Sequence, residues 1–164
     1  MITSFCHPPN LKKLLTSAKL PTDNQPNMCN VSKCKRDRCK CCLHIIEGDT
    51  FVFSHTNTRF KVSCNFNCLS KYVVYVLVCN NCQQYYIGLT TNHLCSRMTV
   101  HRQQIQNTDL RKLKVSKHIA SCSKHLDIKF AVFPFFQVKN ESLTVLRRKE
   151  SFFINKFCQK LYSD

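Results

Sequence analysis

The sequence predicts an α+β fold, a small sheet of about three strands flanked by helices, with a zinc-stabilised cysteine-rich module on its N-terminal side. Three observations predict it. A continuous apolar run, Val73-Val74-Tyr75-Val76-Leu77-Val78, leads through Cys79-Asn80-Asn81-Cys82 into a second strand pattern, Tyr85 to Leu89. Helical patterns follow and are interrupted by one further strand. Seven of the 13 cysteines fall within residues 28–70.

Three regions follow from this pattern. Residues 1–27 hold a short helix and linker: Asn10 can cap a helix whose Leu11, Leu14, Leu15 and Ala18 share one face, and Pro21 and Pro26 end it. Residues 28–70 form the cysteine-rich module, with short strands at 51–53 and 59–62 around a turn at Asn57. Residues 71–164 form the functional core. Val73 to Val78 reads as a strand buried on both faces. The Cys79–Cys82 segment supplies a tight turn to an antiparallel partner. Thr91 or Asn92 is expected to cap a helix from His93 to about Gln106. Ile128 to Phe136 is the third strand, stopped near Pro134. Asn140 is expected to cap a last helix, from Glu141 to about Leu161. The element order gives a small sheet with helices packed on it.

Composition narrows the function. Lys+Arg 25 against Asp+Glu 9 gives a formal charge of +16, a field that draws polyanions. Nucleic acid is the expected partner. Only Gly48 and Gly88 occur, so no glycine-rich phosphate loop is present, which argues against a nucleotide-hydrolysing enzyme. The longest apolar run, Tyr72 to Cys79, is too short to span a bilayer, and no membrane partner is expected. The N-terminal stretch lacks the apolar core of a signal peptide. The cysteines therefore point to metal in a reducing compartment rather than to disulfides. Oligomeric state is not legible.

Two helical faces carry candidate chemistry. Leu94, Met98, His101 and Ile105 share a face, with Arg97 one turn before His101. A histidine on such a stripe is commonly a plain core residue, but Arg97 beside it aims two polar groups at the strands carrying Tyr75 and Tyr86. On the last helix Leu143, Leu146, Phe153, Phe157 and Leu161 form the stripe, and Glu150 falls on it. An inward carboxylate needs a partner, either a cation or an ion pair with Arg147, Arg148 or Lys149. The core holds only Asp109, Asp127, Glu141, Glu150 and Asp164 as acids, too few for a carboxylate-rich two-metal centre.

The order Tyr75, then Tyr86-Ile87-Gly88, then Arg97-x-x-x-His101, then a distant Glu150 resembles the GIY-YIG nucleases. The Cys-x-x-Cys between the two tyrosine motifs narrows the resemblance to the endonuclease of Penelope-like retroelements, whose cysteine-rich linker precedes it. The resemblance implies a metal-dependent DNA endonuclease that nicks chromosomal DNA for target-primed retrotransposition in the nucleus, with RNA or a reverse transcriptase as further partners. It implies Mg²⁺ or Mn²⁺ on Glu150, transition-state stabilisation by Arg97, and proton abstraction by Tyr75, with His101 and Tyr86 completing the network. Tyr85 is expected on the opposite face of its strand. The first motif, Val73-Val74-Tyr75, lacks the family's usual glycine. Many relatives also carry an asparagine after the glutamate helix; Asn155 is too close to Glu150, which fits a chain trimmed at its C-terminus. The rival readings are a zinc-dependent nucleic-acid binder without activity and a structure-specific repair nuclease.

Two zinc sites are expected. Cys79-x-x-Cys82 needs two more ligands, with His118, Cys122 and His125 available. The resemblance selects His118 and His125, with Cys122 as a substitute. Cys34, Cys39, Cys42 and Cys68 make a second set, with Cys29, Cys41, Cys64 and His44 as competitors, while Cys6, Cys95 and Cys158 read as plain thiols. The cationic runs Lys33, Lys35, Arg36, Arg38, Lys40 and Arg111, Lys112, Lys114 are the expected phosphate contacts.

Overall fold

The computed structural model describes residues 29–54, 56–107, 113–122, 127–139 and 141–157. In chain order the elements are β1 (Thr50–Phe53), β2 (Thr58–Lys61), β3 (Val73–Cys79), β4 (Tyr85–Thr90), α1 (Leu94–Gln106), α2 (Lys114–Cys122), β5 (Phe130–Gln137) and α3 (Leu143–Phe157). The fold is the expected mixed α+β. The N-terminal helix expected near residues 11–20 lies outside the described residues.

The main sheet has the order β4-β3-β5, antiparallel throughout, and β1-β2 is a separate hairpin. The central position of β3 explains its unbroken apolar sequence: all seven residues are buried. Alternation sorts the sheet into two faces. Tyr75 and Leu77 lie opposite Gly88 and Tyr86 on one face; Val74, Val76 and Val78 lie opposite Leu89, Ile87 and Tyr85 on the other. The second face is the aromatic core. Phe53 of the hairpin stacks on Phe157 of α3 at 3.9 Å and meets Tyr85 and Phe135 edge-on at 5.4 and 5.9 Å. Phe60 and Phe153 complete the layer against Phe135. Tyr85 donates its hydroxyl proton to the Phe157 carbonyl at 2.7 Å, so it is a core residue on the opposite face from Tyr86.

Several boundaries differ from expectation for identifiable reasons. Pro134 does not stop β5, which runs on to Gln137. It sits opposite Tyr75 at a register shift in an outer strand, where the missing N–H breaks no regular ladder. The β3–β4 connection extends to Gln83, which adopts a left-handed φ of 59°; the Gln83 N–H closes on the Cys79 carbonyl. The hairpin turn at Asn57 is as expected, with φ 49°.

Helix α1 is not capped by Thr91 or Asn92. Its N-cap is His93, without a side-chain cap. The orphan amides of Leu94 and Cys95 instead donate to the carbonyls of Ser70 and Cys68, at 3.0 and 2.9 Å. His93 Nδ1 adds a contact of 2.6 Å to the Leu69 carbonyl. The cysteine-rich module therefore holds the start of α1. It also extends the sheet: Ile46 N–H donates to the Val132 carbonyl, and Val132 N–H to the His44 carbonyl.

In α3 the Ser142 hydroxyl accepts from the Val145 amide at 3.4 Å, a capping role expected of Asn140, which lies outside the described residues. Leu143 is exposed, so the buried stripe of the described helix is Leu146, Phe153 and Phe157. The expected stripe residue Leu161 also lies outside the described residues.

Phe53 ties the hairpin, α3 and the sheet together, so Phe53→Ala should cost about 3–5 kcal/mol in denaturant unfolding.

Candidate active site and metal centres

On the other face of the sheet, α1 lays Met98, His101 and Ile105 inward. Tyr75 points into this layer and is 2% exposed. Its hydroxyl oxygen lies 2.9 Å from His101 Nε2, and Arg97 Nε donates to it at 3.1 Å. The helical spacing of Arg97 and His101 makes this possible, because both side chains leave α1 toward the same strand.

The proton arrangement follows from charge. Burial, then the Arg97 charge, push the His101 imidazole down to about 4, so the ring is neutral near pH 7. Burial raises the Tyr75 phenol above its ordinary value; Arg97 opposes this and Glu150 adds to it. The phenol is therefore protonated at rest. With Arg97 donating to its oxygen, the phenol can donate to His101 Nε2. His101 Nδ1 then carries the imidazole proton, buried and without a hydrogen-bond partner among the described residues.

Glu150 comes from α3 and lines the same cavity as Leu89 of β4. Burial raises its carboxyl above the ordinary range, against the Leu89 hydrogen bond and the charges of Arg97 and Arg147. The expected alternative, an ion pair with its basic neighbours, is not formed at salt-bridge distance; Lys149 lies over the rings of Phe136 and Phe152 instead.

Tyr75, Tyr86, Gly88, Arg97, His101 and Glu150 all line one cavity of about 420 Å³. Lys114 closes it from α2. A half-buried carboxylate facing a solvent-sized cavity, with one protein carboxylate and room for waters, suits a hydrated Mg²⁺ or Mn²⁺. Gly88 lies against Tyr75: a Cβ there would stand 3.0 Å from the phenol oxygen.

Two clusters suit a tetrahedral metal. Cys34, Cys39, Cys42 and Cys68 place their sulfurs within 4.8 Å of one another. The Cys42 sulfur lies 3.5 Å from those of both Cys34 and Cys68; a zinc–thiolate tetrahedron has edges of about 3.8 Å. Crowding with Cys41 and burial raise the Cys68 thiol, and burial and the neighbouring thiols raise Cys42, the strain a cation would relieve. Cys39 is the exception: burial raises it, but hydrogen bonding from Cys34 and the local backbone brings it to about 7. Of the competing residues, His44 stacks on Phe130 and bonds its carbonyl through Nδ1.

The second cluster is Cys79, Cys82, His118 and Cys122, with the Cys82 sulfur 3.2 Å from His118 Nε2. Cys122, on the last turn of α2, is the substitute ligand that the sequence offered; His125, which the resemblance selects, lies outside the described residues. The ring of His118 also lies 5.8 Å from that of Tyr86, so this cluster adjoins the cavity.

The basic runs separate. Arg36, Arg38 and Lys40 line a cleft facing α1, whereas Lys33 is paired with Glu47 at 3.2 Å, and Lys35 is exposed outside the cleft lining. Arg111 and Lys112 lie outside the described residues. Sequence reasoning missed Arg102 and Thr99, which form the opposite wall of that cleft; the available signal was that both lie within five residues of Arg97 on one helix.

The comparisons with known proteins agree with this geometry. A family model described as the GIY-YIG catalytic domain matches residues 71–162, more than half of the 164 residues. No curated protein and no solved structure matches the chain significantly.

Alanine normally gains in a strand relative to glycine. Gly88→Ala should do the reverse, destabilising by about 1–3 kcal/mol because the Tyr75 ring is held on both sides and cannot yield. In a double-mutant cycle, Tyr75→Phe should relieve part of that cost. Additive effects would mean that Gly88 does not support the phenol.

Proposed function

The chain belongs to the GIY-YIG family, and on that premise we propose that it is a metal-dependent DNA endonuclease. The observation that carries the reading is the convergence of Tyr75, Arg97, His101 and Glu150, from three separate elements, on one cavity. A single carboxylate, an arginine and a phenol–imidazole pair suit phosphodiester hydrolysis.

Each residue has a role. Glu150 holds the divalent cation, which when bound supplies Lewis-acid withdrawal of charge from the scissile phosphate. Arg97 stabilises the negative charge that develops on the phosphate oxygens. Tyr75 takes a proton from the attacking water. As a phenol it does so only by passing its own proton toward neutral His101 at 2.9 Å; because that ring takes a proton only near pH 4, a cation on Glu150 would have to acidify the water for the relay to run. Tyr86 lines the same cavity, and the resemblance gives it a place in the hydrogen-bond network. Lys114 adds positive charge at the rim.

The zinc clusters are structural, since four protein ligands leave no open position. The resemblance supports a Penelope-like retroelement origin, with residues 1–27 as linker, 28–70 as zinc module and 71–164 as endonuclease domain. In that reading the protein works in the nucleus, and its nick primes a reverse transcriptase that copies RNA.

The test is nicking of supercoiled plasmid by zinc-loaded protein in Mg²⁺ or Mn²⁺. Glu150→Ala should lose cleavage by 10²-fold or more, about 2.7 kcal/mol of transition-state stabilisation, while DNA binding persists. Binding without any nicking by the wild-type chain would replace the enzyme with a zinc-dependent DNA-binding module.

A further inference from the structure

We infer that DNA is held along one basic trench running from the Tyr75 cavity, over the N-terminal half of α1, to the cysteine-rich module, with Arg102 anchoring its far end. The inference rests on the nuclease reading for its substrate and extends it to residues outside the cavity.

Three clefts share walls. The Tyr75 cavity shares Leu89 and Arg97 with a second cleft of about 340 Å³, which runs past Thr91 and Asn92. That cleft shares Ser96 with a third, of about 460 Å³. The third has Arg36, Arg38 and Lys40 on the module side and Thr99 and Arg102 on the α1 side. The shared residues make the three clefts one path across the helix.

The chemistry of the path selects a phosphate backbone. No Asp or Glu lines the second or third cleft among the described residues, and neither has an aromatic wall on which bases could stack. Beside three cysteines, Leu89 and Val100, the lining is cations with small hydroxyl and amide side chains, the groups that contact phosphates without reading sequence. Arg97 and Arg102 are five residues apart on α1, about 7.5 Å along its axis. Five residues also turn the helix by about 140°, so Arg97 faces the reaction centre and Arg102 the far cleft.

Arg102 is pre-positioned. Its Nη2 donates to Thr99 Oγ1 at 2.9 Å, and Thr99 in turn donates to the Cys95 carbonyl at 3.0 Å. That contact uses one of the five guanidinium donors and fixes the plane of the rest. The carbonyl of Cys68, a member of the module's cysteine cluster, caps the same helix at Cys95. The two walls of the third cleft are thus joined beside its floor, so metal in the module would set the width of the trench.

The experiment measures duplex DNA binding by fluorescence anisotropy, with zinc-loaded full chain and no added Mg²⁺, across a range of salt concentrations. Arg102→Ala and Arg38→Ala should each weaken binding several-fold and reduce the slope of log K against log salt by about 0.9, one phosphate apiece. Arg102→Lys should keep the slope. Lys156→Ala, which lines none of the clefts, should change nothing. Zinc content and melting temperature establish that each variant is folded; if Arg38→Ala is not, Arg102→Ala decides alone. A folded Arg102→Ala with the wild-type slope overturns the inference, as does loss of slope on an RNA duplex but not on DNA. The outcome is separable from the nuclease reading: a chain that never nicks DNA but loses slope keeps the trench, and one that nicks with unchanged slopes loses it.

Discussion

A phenol buried on the central strand sets the terms for the rest of the molecule. Tyr75 is nearly inaccessible, and a buried hydroxyl without partners costs several kcal/mol. Arg97 and His101 satisfy it from a single helix, which fixes the rotation and axial position of α1 over the sheet. Gly88 is then required on the neighbouring strand, because a side chain there would meet the phenol. The cost of the arrangement appears at His101, whose Nδ1 is buried without a partner among the described residues. Strain of that kind, kept at a cavity wall, is a mark of a site shaped for chemistry rather than stability.

The cysteine clusters act as braces for this arrangement. One places the carbonyls of Cys68 and Ser70 at the start of α1, replacing the side-chain cap that the helix lacks. The other joins the β3–β4 turn to α2 and brings His118 against Tyr86. Each brace grips an element that carries a cavity residue. A metal held by the four side chains of either cluster would add folding free energy at these two junctions.

The strands and the cavity were legible because they follow short-range rules. The β3 run is apolar throughout because it is central, and Glu150 stands out because it interrupts an apolar stripe. The spaced motifs that carry the resemblance name Tyr75, Tyr86, Arg97 and His101, and these four line one cavity. Features that depend on long-range partners were not legible. The α1 cap comes from a carbonyl some 25 residues upstream, invisible to a search for local capping residues. Pro134 reads as a strand breaker until the strand is known to be an outer one with a register shift. Arg102 matters only once the module is seen to pack across from it.

The account depends on Tyr75 donating its proton to a neutral His101. The most direct test is a ¹⁵N NMR titration of the His101 imidazole in zinc-loaded protein. The account predicts a neutral ring with its proton on Nδ1 at pH 7, and protonation only as pH falls to about 4. A pKa near the ordinary 6.5, or a proton on Nε2 at neutral pH, would contradict it.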